Sequence, residues 1–437
     1  MRKTTTLFEH EYTNNFNWSD SEAVKLTALN KSLGADILTP RFRSGKRELR
    51  AAQYVGVVRF ANKTVQILPK IYRSENYSGD EREAVVREAT ENLLYLLAYA
   101  GKFSIKENEI TALSRQSSDW FEILTRIFAS HLTTEWERGV PRSYRIVESE
   151  LSILKGKWKL NEQLRRPLTK HKFSVEYDEF SVDNKLNRVF RFVVERLWKL
   201  TRDGKNRQAL GDLRVMMDDV VLVNHLTAKD ASPSLLSRMN SRFAPLLNLA
   251  RLFLDDSALR LHAGDTDSFA FVFDMNSLFE EFLIEFIRRH RLEILPEELQ
   301  NCDVLPQTRG ATRHLADREE KAVFLLKPDA AFKNEDGQFP LLLDAKYKKL
   351  NEQDLRVGVS QSDFYQMHAY ANRYACPRIL LIYPQTSEMK NNLRVRFRLQ
   401  ASAVIIQAAT LNLHLRICKQ TERDKLVAEL KEIFRGE

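Results

Sequence analysis

The sequence predicts a C-terminal α/β domain, in which helices flank a mixed β-sheet, preceded by a small β-rich N-terminal domain and a mainly helical middle domain. Three patterns predict this division. Runs of β-branched and aromatic residues mark residues 1–75, helical periodicity marks 76–265, and strands alternate with helices across 266–437. A chain of 437 residues also exceeds the size at which a single hydrophobic core usually stops growing.

Local signals in the N-terminal part predict one helix and one β-hairpin. Ser19 and Glu22 have the spacing of a capping box, which predicts a helix that begins there, and Gly34 is a typical C-terminal stop. The runs 54–60 and 64–68 are rich in β-branched and aromatic residues and lie three residues apart. They predict the two strands of a hairpin.

The middle part is predicted to be helical because apolar residues recur there every three to four positions. The predicted helices span 81–100, 118–138, 182–202 and 234–256. An irregular or extended stretch at 139–181 interrupts these helices and carries much of the positive charge. The boundary with the C-terminal part is predicted at 261–266, where glycine and aspartate favour a turn.

The C-terminal part is predicted to place strands and helices alternately, which favours an α/β layer architecture. The predicted strands are 268–273, 323–332, 341–346 and 378–383. The predicted helices are 276–291, 360–374 and 422–434.

The positive charge of the chain indicates a polyanionic partner. The formal net charge is +9 and the isoelectric point is near 9.2. Basic residues cluster, and such clusters contact the phosphates of nucleic acids. The alternative for each cluster is a solvated basic surface. The basic residues predicted to contact DNA are Lys155, Lys157, Arg165, Arg166 and Lys348.

Several other classes of protein are not favoured by the sequence. The three cysteines lie far apart, so they predict neither a zinc site nor a disulfide framework. Gly45-Lys46 lacks the upstream glycine and the serine or threonine of a P-loop, so we expect no nucleotide hydrolysis by this chain itself. No apolar run reaches the length of a membrane span, and the first residues lack the apolar stretch of a secretion signal. The sequence therefore predicts a cytoplasmic protein with no membrane contact.

The strongest chemical signal is Pro328-Asp329 followed by Asp344-Ala345-Lys346. Alternate residues of a strand point to the same face, so Asp344 and Lys346 are expected to project together. The apolar run before Asp344 indicates a buried strand that ends at this pair. A turn-rich segment separates Asp329 from Asp344, and a hairpin of that length can bring the two carboxylates together.

Two neighbouring carboxylates repel each other unless a cation lies between them, and oxygen ligands favour Mg²⁺, with Mn²⁺ as a possible substitute. Asp329 and Asp344 are therefore predicted to be metal ligands. The metal would polarise a phosphate and lower the pKa of a water, and Lys346 would orient that water or neutralise charge in the transition state. By itself an Asp-x-Lys pair often occurs by chance as a surface or structural pair.

Three further residues in the flanking helices are predicted to support this set. Glu280 lies at the rim of an apolar helix face, where its carboxylate would reach the metal or a metal-bound water, although a solvated glutamate is the alternative. Gln366 and Tyr370 are four residues apart and share one helix face. Their amide and hydroxyl groups suit hydrogen bonds to a DNA phosphate or to the catalytic lysine.

Taken together, these motifs resemble the McrC family, the nuclease subunit of McrBC modification-dependent restriction systems, within the PD-(D/E)xK nuclease superfamily. The resemblance covers most of residues 270–375, and a weaker likeness extends over 55–71. The motifs that carry it are Phe273-Asp274-Met275-Asn276, Leu278-Phe279-Glu280, Pro328-Asp329, Leu343-Asp344-Ala345-Lys346-Tyr347-Lys348, Asp363-Phe364-Tyr365-Gln366-Met367 and Ala369-Tyr370.

The resemblance implies a DNA endonuclease subunit that works with a McrB-like AAA+ GTPase hexamer and stimulates its hydrolysis. In that family the N-terminal part engages the ring and the C-terminal domain cuts. Residues 1–75 are therefore predicted to engage the partner, through Arg41, Arg43, Lys46 and Arg47. A RecB-like exonuclease, which shares the Gln-x-x-x-Tyr motif, and a non-catalytic activator of a ring NTPase remain the alternatives.

Overall fold

The computed structural model describes residues 4–13, 16–43, 45–61, 63–73, 79–102, 119–165, 171–254, 259–261, 269–307, 311–351, 354–389, 391–400 and 402–436. The chain divides into two compact units. The first combines Met1–Ile123 with Arg260–Glu437, and the second is Leu124–Leu259. This division differs from the predicted boundaries, because the N-terminal and C-terminal parts belong to one unit.

The predicted helices occur in the predicted order, with two additions in the middle part at 160–164 and 204–216 and two short ones at 291–294 and 297–300. In chain order they are α1 (Asp20–Leu33), α2 (Gly79–Tyr99), α3 (Trp120–Arg138), α4 (Leu160–Leu164), α5 (Lys185–Leu200), α6 (Gly204–Met216), α7 (Ala244–Leu254), α8 (Met275–Arg289), α9 (Arg291–Ile294), α10 (Glu297–Gln300), α11 (Gln361–Tyr374) and α12 (Gln420–Arg435). The predicted capping box of α1 is confirmed, since Ser19 and Glu22 exchange side-chain to backbone hydrogen bonds. Over the described ranges, no helix is both long and apolar enough to cross a membrane.

The strands form separate sheets in the two units. In chain order they are β1 (Thr5–Phe8), β2 (Leu38–Arg43), β3 (Lys46–Ala51), β4 (Tyr54–Phe60), β5 (Lys63–Leu68), β6 (Ser143–Leu151), β7 (Lys157–Trp158), β8 (Phe173–Ser181), β9 (Leu259–Leu261), β10 (Phe269–Asp274), β11 (Asp303–Pro306), β12 (Arg313–Arg318), β13 (Lys321–Leu326), β14 (Ala330–Lys333), β15 (Leu341–Ala345), β16 (Arg378–Pro384), β17 (Arg394–Arg398) and β18 (Ile405–Leu411).

The first sheet has the order β1-β5-β4-β10-β9 and contains the predicted hairpin of β4 and β5. Strand β10 pairs with β4 in antiparallel fashion, with Val272 opposite Gly56. The predicted N-terminal domain therefore shares its sheet with a strand that the sequence assigned to the C-terminal domain. The physical reason is that β4 is buried along nearly its whole length, which is typical of an internal strand, and its backbone N–H and C=O groups then need a neighbouring strand on each edge.

The second sheet has the order β11-β14-β15-β16-β18-β17 and is mixed. Strands β15, β16 and β18 run parallel, whereas the other neighbours are antiparallel. On one face Met367 and Tyr370 of α11 belong to the same hydrophobic cluster as Leu342 and Leu381 of the sheet. On the other face Phe434 of α12 contacts Phe332, with ring centroids 5.7 Å apart. The predicted mixed sheet flanked by helices is confirmed.

The strand predicted at 323–332 is interrupted in the structure. β13 ends at Leu326 and pairs with β12, whereas β14 begins at Ala330 and joins the second sheet. Pro328 lies in the gap, and proline has no N–H to continue a β-ladder. Asp329 therefore lies after this interruption and immediately before β14, an internal strand of the second sheet.

The second unit contains most of α3, helices α4 to α7 and the sheet β6-β8-β7. The stretch predicted as irregular or extended forms this sheet, in which β6 and β8 pair over nine residues each. The helix predicted at 234–256 is shorter and spans Ala244–Leu254. Helix α6 was not predicted; Asp203 caps its N-terminus by accepting a hydrogen bond from Asn206 N.

Candidate active site

Asp344 and Lys346 lie at the carboxyl end of the central strand β15. Asp344 is buried, with 1% of its surface exposed. The Lys346 ammonium forms an ion pair with Asp344 Oδ1, and the Lys346 backbone N–H donates to Ile382 O of β16 over 2.8 Å. The predicted projection of the two side chains into one site is therefore observed.

Asp329 also lies at the end of β15, because the strand is interrupted between β13 and β14. Its Oδ2 atom accepts a hydrogen bond from the backbone N–H of Ala345, at 2.6 Å. Ala345 lies between Asp344 and Lys346, so Asp329 contacts the main chain of β15 between these two residues. The structure brings together all three residues of the predicted set.

The electrostatics of the site favour a cation. Burial raises the pKa of Asp329 well above its ordinary value, and the charges of Asp344 and Glu280 raise it further. Burial also raises the pKa of Asp344, although the neighbouring Lys346 opposes this. Lys346 itself has a raised pKa; burial disfavours its charge, but Asp344 and Asp329 favour it more strongly. One ammonium thus faces two carboxylates that repel each other.

Glu280 lies on α8 at the edge of the site and is partly exposed. Its charge raises the pKa of both Asp329 and Asp344. Its Oε1 atom accepts a hydrogen bond from Gln307 Nε2 at 2.9 Å. Glu280 is therefore near the two aspartates and is held by a neutral donor.

Gln366 and Tyr370 of α11 extend the site as a hydrogen-bonded chain. Lys346 Nζ donates to Gln366 Oε1 at 3.3 Å, and Gln366 Nε2 donates to the Tyr370 hydroxyl at 2.7 Å. Tyr370 is buried, whereas Gln366 is exposed. The predicted pairing of these side chains, and their proximity to the lysine, are observed.

Lys348 has a close acidic partner that the sequence analysis did not assign. Its ammonium contacts both carboxylate oxygens of Asp363, at 2.9 and 2.8 Å. Asp363 is 6% exposed and lies in the first turn of α11. Its charge acts on Asp344 and Lys346 as well. Fifteen residues separate Lys348 from Asp363, and no local periodicity marks such a pair.

The other predicted DNA contacts lie in the second unit. Lys155, Lys157 and Arg165 are exposed beside the sheet β6-β8-β7. Lys155 Nζ lies 3.9 Å from the centroid of the Tyr177 ring. Arg166 lies outside the described residues. The role of these residues in DNA binding stays a prediction.

Three of the four predicted partner contacts are exposed on the hairpin of β2 and β3. Arg41, Arg43 and Lys46 project from it, with Arg43 opposite Lys46 at the turn. Arg47 differs, because its guanidinium donates to Trp18 O and lies 4.8 Å from the centroid of the Trp18 ring. It also forms an ion pair with Asp20 at 3.4 Å. Arg47 therefore has internal partners that stabilise the hairpin against α1.

The donor set fits a hard divalent cation such as Mg²⁺. Among the described residues, no three His, Cys, Asp or Glu side chains are already arranged to hold a metal. Mg²⁺, however, usually takes only one or two carboxylates and keeps several waters. Asp329 and Asp344 provide two carboxylates whose mutual repulsion a cation would relieve.

Fold and site together define a mixed α/β protein in which two aspartates and a lysine meet at the end of a central strand. Residues 49–384 match the family described as McrBC 5-methylcytosine restriction system component. The chain belongs to this family. The resemblance drawn from the sequence motifs is thereby confirmed. No curated protein matches the chain.

Two solved structures show similar folds. One is described as the refined half-complex from the tetradecameric assembly of Thermococcus gammatolerans McrB AAA+ hexamers with bound McrC. The match covers 99% of this chain and 100% of that chain, with a TM-score of 0.72 and 23% identity, and is a likeness of fold. The other is the Thermococcus gammatolerans McrBC complex, where the match covers 66% of this chain and 88% of that chain, with a TM-score of 0.52 and 27% identity.

Proposed function

We propose that this chain is the Mg²⁺-dependent endonuclease subunit of a McrBC-type restriction system and cleaves DNA phosphodiester bonds. The observation that carries the proposal is the convergence of Asp329, Asp344 and Lys346 at one strand end. Acid, acid and lysine on a mixed sheet are the signature of PD-(D/E)xK nucleases. Membership of the McrBC family supports DNA as the substrate.

In this proposal Asp329 and Asp344 hold the divalent cation, with Glu280 at the rim and Mn²⁺ as a possible substitute for Mg²⁺. When bound, such an ion polarises the scissile phosphate and lowers the pKa of a water. Lys346 contributes a fixed positive charge that stabilises negative charge developing on the phosphate. Its pairing with Asp344 keeps the ammonium protonated at neutral pH.

Gln366 and Tyr370 have a positioning role in this proposal. The buried Tyr370 hydroxyl accepts from the Gln366 amide, which leaves the Gln366 carbonyl oxygen directed to Lys346. An oriented acceptor limits the rotamers of the lysine, and an ammonium held in place loses less entropy when the transition state forms. Lys348, held by Asp363, would contribute charge at the edge of the site.

We further propose that an AAA+ ring supplies the nucleotide hydrolysis. The chain lacks a P-loop motif, and one similar assembly is described as McrB AAA+ hexamers with bound McrC. GTP as the nucleotide and stimulation of its hydrolysis follow from the family resemblance. The exposed residues Arg41, Arg43 and Lys46 would then contact the ring or the DNA within it.

The test is cleavage of closed circular and linear DNA by the purified chain with its ring partner, Mg²⁺ and GTP. We expect cleavage of both substrates, loss of cleavage in EDTA, and no cleavage by the Asp344→Ala variant with partner binding retained. Cleavage by Asp344→Ala at the wild-type rate would refute the assignment of the site.

The same assay separates the alternatives. A RecB-like exonuclease would degrade linear DNA and spare closed circles. A non-catalytic activator would stimulate GTP hydrolysis by the ring without metal-dependent cleavage by this chain. The family match and the convergence of three site residues favour the endonuclease.

A further inference from the structure

The residue after the site lysine is held by the N-terminal part of the chain. Lys346 points into the site, whereas Tyr347 is buried away from it, with 2% of its surface exposed. The Tyr347 hydroxyl donates to Glu9 Oε2 at 2.9 Å. Lys70 Nζ donates to the Tyr347 backbone carbonyl at 2.8 Å and lies 4.3 Å from the centroid of its ring. Tyr347 is thus held at its hydroxyl, its ring and its main chain.

Glu9 and Lys70 reach this position together because β1 and β5 are parallel neighbours. Glu9 follows β1 and Lys70 follows β5 by two residues. The Glu9 backbone N–H donates to Leu68 O at 2.9 Å, and Glu9 Oε2 also accepts from the Lys70 backbone N–H at 2.9 Å. Two strand ends therefore present one carboxylate and one ammonium to the same tyrosine.

These charged groups are costly to bury. Glu9 is fully buried, and burial raises its pKa to about 6 against the lowering influence of Lys70. Burial lowers the pKa of Lys70, because it disfavours the charged ammonium. A buried carboxylate such as Glu9 is costly unless hydrogen bonds compensate it, so its place beside Tyr347 indicates a specific geometric role.

The main chain around Lys346 indicates that role. The Lys346 N–H is held by β16, and the Lys348 N–H donates to the Lys346 carbonyl at 2.8 Å, which forms a tight turn centred on Tyr347. The Tyr347 ring also lies 6.0 Å from the ring of Phe279, the residue before Glu280. A displacement of Tyr347 would therefore shift the main chain next to Lys346 and the packing of Phe279 next to Glu280.

We propose that Glu9, Lys70 and Tyr347 are positioning residues that fix the Lys346 ammonium in the active site. The inference rests on the proposed nuclease function for its effect on cleavage. It makes the N-terminal strands a part of the cleavage machinery, beyond the partner engagement expected of them.

The test compares Tyr347→Phe with Tyr72→Phe as a matched control. Tyr72 is also buried, and its hydroxyl donates to Leu413 O at 2.7 Å without contact to Glu9. Both changes remove one buried hydroxyl, and the control is the more severe of the two because the Tyr72 hydroxyl also accepts a hydrogen bond from Asn92 Nδ2. We expect Tyr347→Phe to slow single-turnover DNA cleavage by at least about tenfold, since small displacements of catalytic groups have effects of this size or larger. DNA affinity and melting temperature should match those of the control.

Chemical labelling of lysines, read by mass spectrometry, supplies a measurement that does not depend on cleavage. In the wild-type chain the Lys346 side chain is 18% exposed and paired with Asp344. We expect the Lys346 labelling rate to rise several-fold in Tyr347→Phe and to stay unchanged in Tyr72→Phe. Glu9→Gln keeps an acceptor oxygen and should retain most cleavage, whereas Glu9→Ala should behave like Tyr347→Phe.

The outcomes separate the two proposals. Equal Lys346 labelling in Tyr347→Phe, Tyr72→Phe and wild type would overturn the positioning role. A similar loss of cleavage in Tyr347→Phe and Tyr72→Phe would overturn it too. Altered labelling with no cleavage by the wild-type complex would support the positioning role and refute the nuclease function.

Discussion

At the residue scale, the site places negative charges where they destabilise the folded chain. Burial raises the pKa of Asp329 and Asp344, so the folded state binds more protons than the unfolded state once the pH exceeds the ordinary aspartate range near about 4. The free energy of unfolding then falls as the pH rises through the raised pKa values. A cation bound between the carboxylates would oppose this fall.

This charge repulsion predicts a pH-dependent effect of metal and of Asp344→Asn. In EDTA, we expect the melting temperature of the wild-type chain to fall between pH 5 and pH 8 more steeply than that of Asp344→Asn, which removes one charge. Mg²⁺ or Mn²⁺ should raise the wild-type melting temperature most at pH 8 and should have little effect on the variant. Parallel pH profiles, and equal shifts by metal, would contradict a cation site at this pair.

Lys346 offers a second prediction at this scale. Lys346→Met keeps the length of the side chain but removes its charge, so cleavage should fall by about 10²–10³-fold, as when one electrostatic stabiliser of a transition state is lost. DNA affinity should change by less than about twofold, because one phosphate contact among many contributes little. Cleavage at an undiminished rate, measured under single-turnover conditions, would exclude a catalytic role for the lysine.

At the scale of elements, the pairing of β4 with β10 joins distant parts of the chain, and Gly56 permits it. Gly56 has φ 149°, and a Cβ atom there would lie 2.2 Å from the Phe271 carbonyl oxygen. The neighbouring backbone cannot move away without loss of the ladder in which Gly56 faces Val272. The close approach of two strands therefore requires glycine at this position.

We expect Gly56→Ala to destabilise the first unit by about 3 kcal/mol, the scale of a steric clash in a packed core. Gly34→Ala is the control, since Gly34 has φ 68° with open space around it and should lose only about 1 kcal/mol. Denaturant unfolding of both variants measures the difference. Equal losses would show that the strands separate at little cost.

At the scale of the whole molecule, residues 1–75 do not form a separate module. Deleting them would remove β1, β4 and β5 from the sheet that contains β10, together with the two charged residues that hold Tyr347. A truncated chain would therefore lose cleavage through misfolding, whatever its contact with a partner. Point substitutions on the exposed hairpin are the informative experiment.

We predict that the triple variant Arg41→Ala, Arg43→Ala and Lys46→Ala weakens stimulation of NTP hydrolysis by the ring partner at least about fivefold, because exposed charges steer and orient association. Its melting temperature and its metal-induced shift should stay at wild-type values, since these side chains are exposed. The control is Lys321→Ala, an exposed lysine on β13. Full stimulation by the triple variant would place the coupling surface elsewhere, with the middle part of the chain as the next candidate.

The sequence by itself determined what depends on neighbours along the chain. The capping box of α1, the hairpin of β4 and β5, the common face of Asp344 and Lys346, and the four-residue spacing of Gln366 and Tyr370 all follow from local geometry. These short-range patterns also carried the family resemblance. They were sufficient to predict that Asp329, Asp344 and Lys346 lie together.

Only the tertiary structure decided which distant segments meet. The pairing of β10 with β4, the contact of Asp363 with Lys348, and the contact of Glu9 with Tyr347 join residues that no periodicity relates. Such contacts depend on which apolar surfaces are buried against each other and on which buried charges find partners. Local spacing constrains the direction of a side chain, whereas burial across the whole unit selects its partner.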